Sequence, residues 1–193
     1  MKTLITNYIK DIHDGFLSSQ VTDFEKSSFE FFVGVEKSVN LILNSNARGK
    51  KVIFIGNGGS AAVANHKALD FWFTGGIRGL SFSDDALLTC VSNDFGYKNV
   101  FARPISMFAD SGDVIVAISS SGNSENIIFA VNEAKRLGCS VITLSGFQND
   151  NQLRSLGDLN FYVTSKHYNK VESIHLLICD CILELIVSSR NKL

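Results

Sequence analysis

KVIFIGNGGSAAVANHK (residues 51–67) and DVIVAISSSGNSENII (residues 113–128) share one pattern: a short apolar stretch, a Gly/Ser-rich loop, then a helix-like segment. A strand that feeds a helix through such a loop leaves the first helical amides without partners and partly positive, which suits an anion. The second loop, Ser119-Ser120-Ser121-Gly122-Asn123-Ser124, adds four hydroxyls around a turn. Gly122 permits the turn, and Asn123 can bond the backbone locally. Hydroxyls and free amides together make a phosphate cradle that needs no lysine. The plainer reading is a helix cap at Ser121 or Ser124. Four serines in one loop favour the cradle.

Outward from these loops, short apolar runs alternate with helix-like segments. Strands are expected at 52–55, 87–91, 114–118, 140–145 and 160–163, and helices at 61–73, 99–108, 124–137 and 172–187. Pro104 is expected to disturb the 99–108 helix. This alternation predicts an α/β fold: a parallel sheet flanked by helices on both faces, three layers deep. Residues 2–46 read as helical, with Leu4, Ile5, Tyr8, Ile9 and Ile12 at helical spacing, then Phe32, Val35, Val39 and Ile42. Thr22 or Asp23 is the expected cap of the second arm helix. The organisation predicted is one domain over 1–193, with a helical oligomerisation arm at 1–48 and an αβα core at 49–193. A single sheet rarely needs such an arm, so it is expected to pack on another subunit.

The chain has 193 residues, 45% hydrophobic and 19% charged, with net charge −1. This composition fits a well-buried globular protein and gives no basic patch for nucleic acid or an anionic membrane. No apolar run is long enough to span a bilayer, and MKTLITNYIKDIHDG lacks the apolar centre of a signal peptide. Cytoplasmic location is expected. Cys90, Cys139, Cys179 and Cys181 lack C-x-x-C spacing and read as reduced thiols rather than a zinc site.

Two nucleotide-binding motifs fit poorly. Gly56-x-Gly58-x-x-Ala61 matches the dinucleotide fingerprint, but its acidic residue about 20 positions on is missing. Asp84 and Asp85 come later, ahead of the expected second strand. No Gly-Lys-Ser/Thr follows either glycine cluster.

Taken together, GNGGS after the first strand, Ser92-Asn93-Asp94-Phe95-Gly96-Tyr97 after the next, and AISSSGNSENI running into AVNEAKRLGCSVITLSG resemble the sugar isomerase (SIS) domain family, and within it the phosphoheptose isomerases. The likeness covers residues 50–187. It implies an aldose–ketose isomerase interconverting sedoheptulose 7-phosphate and D-glycero-D-manno-heptose 7-phosphate for lipopolysaccharide or capsule synthesis, assembled as a homotetramer. By resemblance, Asn57, Gly58, Gly59 and Ser60 form the first substrate loop, and Asn93 and Asp94 the second. Ser119, Ser120, Ser121 and Ser124 form the phosphate loop, with Ser120 where the family usually has threonine.

The catalytic and metal positions depart from the family. Its His, Glu, Gln and His, which bind zinc there, correspond to His66, Asp70, Glu172 and Asp180. Only His66 is unchanged, and Asn169 stands where the family has an Asp. A set of one histidine and three carboxylates favours Mg²⁺ or Mn²⁺ over zinc, or holds no metal. Glu172 and Asp180 are separated by a rise of about 12 Å along one helix, so a metal between them needs long side chains. Asp180 also reads as a helix-face acid at a subunit contact. For an enediol reaction, Asp70 or Glu172 is the candidate base and His66 the candidate acid. His175 reads as a packing or interface residue, His13 as a surface residue, and His167 as undecided between substrate and solvent. These changes leave two further readings open: a non-catalytic phosphosugar-binding or scaffold protein, and an isomerase of another phosphosugar.

Overall fold

The computed structural model describes residues 1–190. Helix α1 (Lys2–Leu17) leads into a hairpin of β1 (Gln20–Asp23) and β2 (Ser28–Phe29), then α2 (Phe31–Ala47). The core follows as β3 (Val52–Gly56), α3 (Gly59–Phe73), β4 (Gly79–Ser81), α4 (Asp85–Phe95), α5 (Ala102–Phe108), β5 (Val114–Ser119), α6 (Glu125–Arg136), β6 (Ser140–Ser145), β7 (Leu159–Tyr162) and α7 (Tyr168–Arg190). The sheet order is β2-β1-β7-β6-β5-β3-β4. Strands β3 to β7 are mutually parallel, and β1 adds to β7 antiparallel.

The period-two alternation of side chains sorts the sheet's two faces. Val52 and Phe54 of β3, with Val114, Val116 and Ile118 of β5, join the core beneath α2, α3 and α7. Ile53, Ile55, Ile115 and Ala117 point the other way, into the core beneath α5 and α6. A strand buried on both faces must be apolar throughout, which is why β3 and β5 read as unbroken apolar runs. Each valine, isoleucine or phenylalanine among them, fully buried, contributes about 1.5–3 kcal/mol.

Three parts of the sequence reading change. Residues 87–91, expected as a strand, lie inside α4, whose N-cap Asp84 accepts from the Leu87 amide at 3.0 Å. The strand of this unit is the three-residue β4 just before it. The arm is helix–hairpin–helix, so Thr22 and Asp23 sit in β1 rather than at a helix cap. β1 and α2 also belong to the chain's own core: Val21, Phe31, Val35, Val39 and Ile42 are buried there. Phe32, by contrast, is exposed, and α1 buries no residue. Pro104 disturbs nothing, because it lies in the first turn of α5, where its missing N–H is not needed.

The chain steps from β3 to β4 on one side, then returns to β5 on the other side of β3. That reversal makes the β3/β5 boundary a topological switch point. The carboxyl ends of strands there open a crevice, the place where such sheets bind ligands.

Candidate active site

Both Gly/Ser loops lie at this crevice. Asn57, Gly58, Gly59 and Ser60 from the β3 end meet Ser119, Ser120, Ser121 and Ser124 from the β5 end around a cavity of about 250 Å³. Tyr168 and Glu172 from α7 complete the lining. The N-termini of α3, α6 and α7 therefore all reach one small space, and their unpaired amides sum to a positive field. A wider cleft of about 750 Å³ lies beside it, lined by Phe147, Tyr162, Lys166, His167 and Lys170 among others. It is not the space on which the loops converge. Exposed His167 lines that wider cleft rather than the pocket.

The serine loop is a wound turn held from behind. Gly122 has φ +67, and a Cβ there would run into Asn151. Asn151 is buried and donates to the Ser145 hydroxyl and to the Gly146 and Gln148 carbonyls. The Leu153 amide donates to the Gly122 carbonyl at 2.9 Å. Within the loop, the Ser119 and Ser124 hydroxyls lie 3.1 Å apart, and the Gly122 amide donates to the Ser119 hydroxyl at 3.2 Å. The Ser121 hydroxyl accepts from the Asn123 amide at 3.3 Å. The Ser120 hydroxyl is buried with no hydrogen-bond partner among the described residues. An unpaired buried hydroxyl beside a polar cavity is a group prepared for a ligand, since leaving it unmet costs about 1–3 kcal/mol.

The first loop is tied to the second by a reciprocal amide pair. Asn57 and buried Asn126 exchange two hydrogen bonds of 2.8 Å, and the Tyr97 hydroxyl adds a third to the Asn57 oxygen at 3.0 Å. The Asn57 side chain thus sets the loop spacing while it lines the cavity. Asn93 and Asp94 are not in this pocket. They sit on exposed turns of α4, where the Asn93 amide donates to Asp94 at 2.8 Å, and Asn93 lines a separate shallow depression with Tyr97. Their expected place in a loop after a strand is lost with that strand.

Of the four expected acid, base and metal positions, Glu172 separates from the other three. Glu172 is in the pocket, with its carboxylate packed on Gly59 so closely that any Cβ there would overlap it. Glu172 enters no ion pair among the described residues. Asp180 lies about two turns beyond Glu172 along α7, and Asp70 about three turns beyond Gly59 along α3; between them sits a residue that sequence reasoning passed over. Lys67 is 2% exposed, and its ammonium donates to Asp70 at 2.5 Å and also to Asp180. Burial alone would lower the lysine's pKa, but hydrogen bonds and charge from Asp180 and Asp70 outweigh it and raise it above its usual value. His66 Nε2 lies 3.3 Å from the same Asp70 oxygen, on a largely exposed side chain. Among the described residues, no three His, Cys, Asp or Glu side chains are grouped to hold a metal ion.

His175, one turn after Glu172, is fully buried, with Nε2 3.2 Å from the Ser145 carbonyl oxygen. Desolvation pushes its pKa down to about 4, so it is a neutral packing residue behind the pocket. His13 is exposed beside Asp14. All four cysteines are free thiols; Cys139, Cys179 and Cys181 are raised in pKa by burial.

The chain is similar in sequence and fold to known proteins. The SIS domain model matches residues 32–146. The phosphoheptose isomerase of Helicobacter hepaticus is 34% identical over 168 residues, covering 83% of this chain and 84% of that protein. The chain belongs to the phosphoheptose isomerase family of SIS-domain proteins. The Campylobacter concisus member is 32% identical and is matched over 96% of both chains. The solved phosphoheptose isomerase GmhA of Neisseria gonorrhoeae superposes with TM-score 0.82 at 26% identity, covering 97% of this chain and 98% of that one. As a member of the family, the chain keeps a mostly parallel sheet between helical layers. No described helix is long and apolar enough to cross a membrane.

Proposed function

We propose that the chain is an isomerase that interconverts sedoheptulose 7-phosphate and D-glycero-D-manno-heptose 7-phosphate through an enediol. The observation that carries this is one pocket in which three helix N-termini and a ring of serine hydroxyls face the Glu172 carboxylate, which has no ion-pair partner among the described residues. The phosphate binds at Ser119, Ser120, Ser121 and Ser124, next to the α6 N-terminus. The sugar extends toward the Gly58–Ser60 backbone, and Glu172 reaches its carbonyl end. Glu172 takes the proton from the carbon beside the carbonyl while the carbonyl oxygen takes up a proton, giving the enediol; it then returns its proton to the former carbonyl carbon as the hydroxyl on the adjacent carbon gives up its own, which moves the carbonyl by one position. His66, Asp70 and Asp180 stand too far along the helices to share that step within one chain.

Cytoplasmic location, a heptose product destined for lipopolysaccharide or capsule, and assembly as a homotetramer complete the proposal. The exposed Leu4, Ile5, Tyr8 and Ile9 on α1, with Trp72 and Phe73 at the end of α3, support an assembled state. A second reading, a phosphosugar-binding scaffold without turnover, draws on the pairing of Asp70 and Asp180 with Lys67. One experiment separates the two: sedoheptulose 7-phosphate is added to the purified chain and the aldose is followed by NMR. Aldose formation is expected. Saturable binding with no aldose on folded protein replaces the enzyme with the scaffold.

A further inference from the structure

Helices α3 and α7 run side by side in the same direction. Two contacts show it: Gly59 meets Glu172, and Lys67 meets Asp180, both at a sequence separation of 113 (172 − 59 and 180 − 67). The first contact is at the pocket. The second lies two turns below it, about 12 Å along the axis. Aligned helix dipoles side by side repel, and a charge link between the helices offsets that repulsion.

The family resemblance places a divalent metal at the positions of His66, Asp70, Glu172 and Asp180, and the residues present do not fit one. The Lys67 ammonium already occupies the point between Asp70 and Asp180. Glu172 is at the other contact, against Gly59. His66 stands beside Asp70, with Nε2 3.3 Å from the carboxylate oxygen that Lys67 already holds, and among the described residues no three His, Cys, Asp or Glu side chains are grouped to hold a metal ion. A lysine ammonium is a compact charge with three donors, and it bridges two carboxylates without exchanging into solvent.

We infer that Lys67 is a built-in cation that takes the place of the metal, so this chain works without one. Its task is positioning: it fixes the slide of α7 along α3 and so holds the Glu172 carboxylate over Gly59. A slip of one turn, about 5.4 Å, would carry Glu172 out of the pocket. The inference rests on the reading of that pocket as a phosphosugar isomerase site.

The test begins with the unaltered protein. It is incubated with excess zinc, passed through a desalting column and analysed for zinc per chain; turnover of sedoheptulose 7-phosphate is then measured with and without EDTA. Far less than one zinc per chain and turnover indifferent to the chelator are expected. One zinc retained per chain, and lost in Asp180→Asn, would overturn the inference. The positioning role is read from variants. Lys67→Met is expected to lower kcat by about 10–100-fold with little change in KM, and Lys67→Arg, which keeps the charge, to recover much of the loss. Unaltered kcat in Lys67→Met overturns the role. Where Lys67→Met folds poorly, the zinc measurement on the unaltered chain still decides. If the unaltered chain isomerises no heptose phosphate, the functional reading fails, while zinc stoichiometry independently tests whether Lys67 holds the metal's place.

Discussion

The two ends of the α3–α7 helix pair hold opposite kinds of chemistry. At the pocket end, polar groups are left unmet among the described residues: free helix amides, the partnerless Ser120 hydroxyl and the Glu172 carboxylate, which enters no ion pair. Two turns on, Lys67, Asp70 and Asp180 satisfy one another. A folded chain keeps buried polar groups unpaired only at a cost. Among the described residues, buried His175 Nδ1, behind the pocket, is also without a partner; the groups left unmet at the pocket end face a ligand, and the paired end holds the frame. A second clamp of the same kind joins Lys51 to Asp110 and Asp113, at the start of β3, away from the pocket. It makes the same point about pairing and architecture.

Four changes would break or sharpen this contrast. The largest effect is expected at the paired end. Lys67→Met leaves two carboxylates without their cation and should destabilise the fold by about 3 kcal/mol, the low end for a broken buried pair because Asp180 is partly exposed; urea unfolding measures it. Between the two ends lies His175, neutral and buried. With its folded pKa near 4 against 6.5 unfolded, its contribution is fully present above pH 6.5. It is lost as pH falls from 6.5 toward 4, where only the unfolded chain takes up the proton. The loss is on the order of 3 kcal/mol at most, and His175→Gln should flatten the curve of stability against pH across that window.

At the pocket end, Gly122→Ala should cost about 2 kcal/mol through its left-handed backbone and the clash with Asn151, and should weaken phosphosugar binding measured by calorimetry. Ser120→Ala is expected to be nearly neutral for stability, because no partner is lost. It should reduce phosphosugar affinity by about tenfold, the worth of one hydrogen bond to a charged group. A large loss of stability in Ser120→Ala would mean that its hydroxyl serves the fold and not a ligand.

Much of this was legible in the sequence where burial on both faces or turn chemistry left a clear mark. β3 and β5 are nearly continuous apolar runs, β6 carries Val141, Ile142 and Leu144 around Thr143, and both loops announce themselves by glycine and serine. The α4 helix was hidden because Ala86-Leu87-Leu88-Thr89-Cys90-Val91 is also what a short buried strand looks like; Asp84 ahead of it was the cap signal that could have decided the matter. β4 has three residues and a glycine, too little to show any period. The β1–β2 hairpin buries only Val21, so its alternation is faint. At the site, Asn126, Asn151 and Lys67 each depend on partners distant in the chain. A lysine on a helix reads as a solvated residue until the fold brings Asp180 to it from 113 positions away.

The central claim is that the unpaired end of the helix pair does the proton transfer. Its most direct test is solvent exchange: sedoheptulose 7-phosphate is incubated with the protein in D₂O, and deuterium at the carbon beside the carbonyl is followed by NMR. The unaltered chain should introduce deuterium. Glu172→Gln should bind the sugar phosphate with similar affinity and exchange it about 10²–10⁴-fold more slowly. Exchange by Glu172→Gln at the unaltered rate would contradict the account.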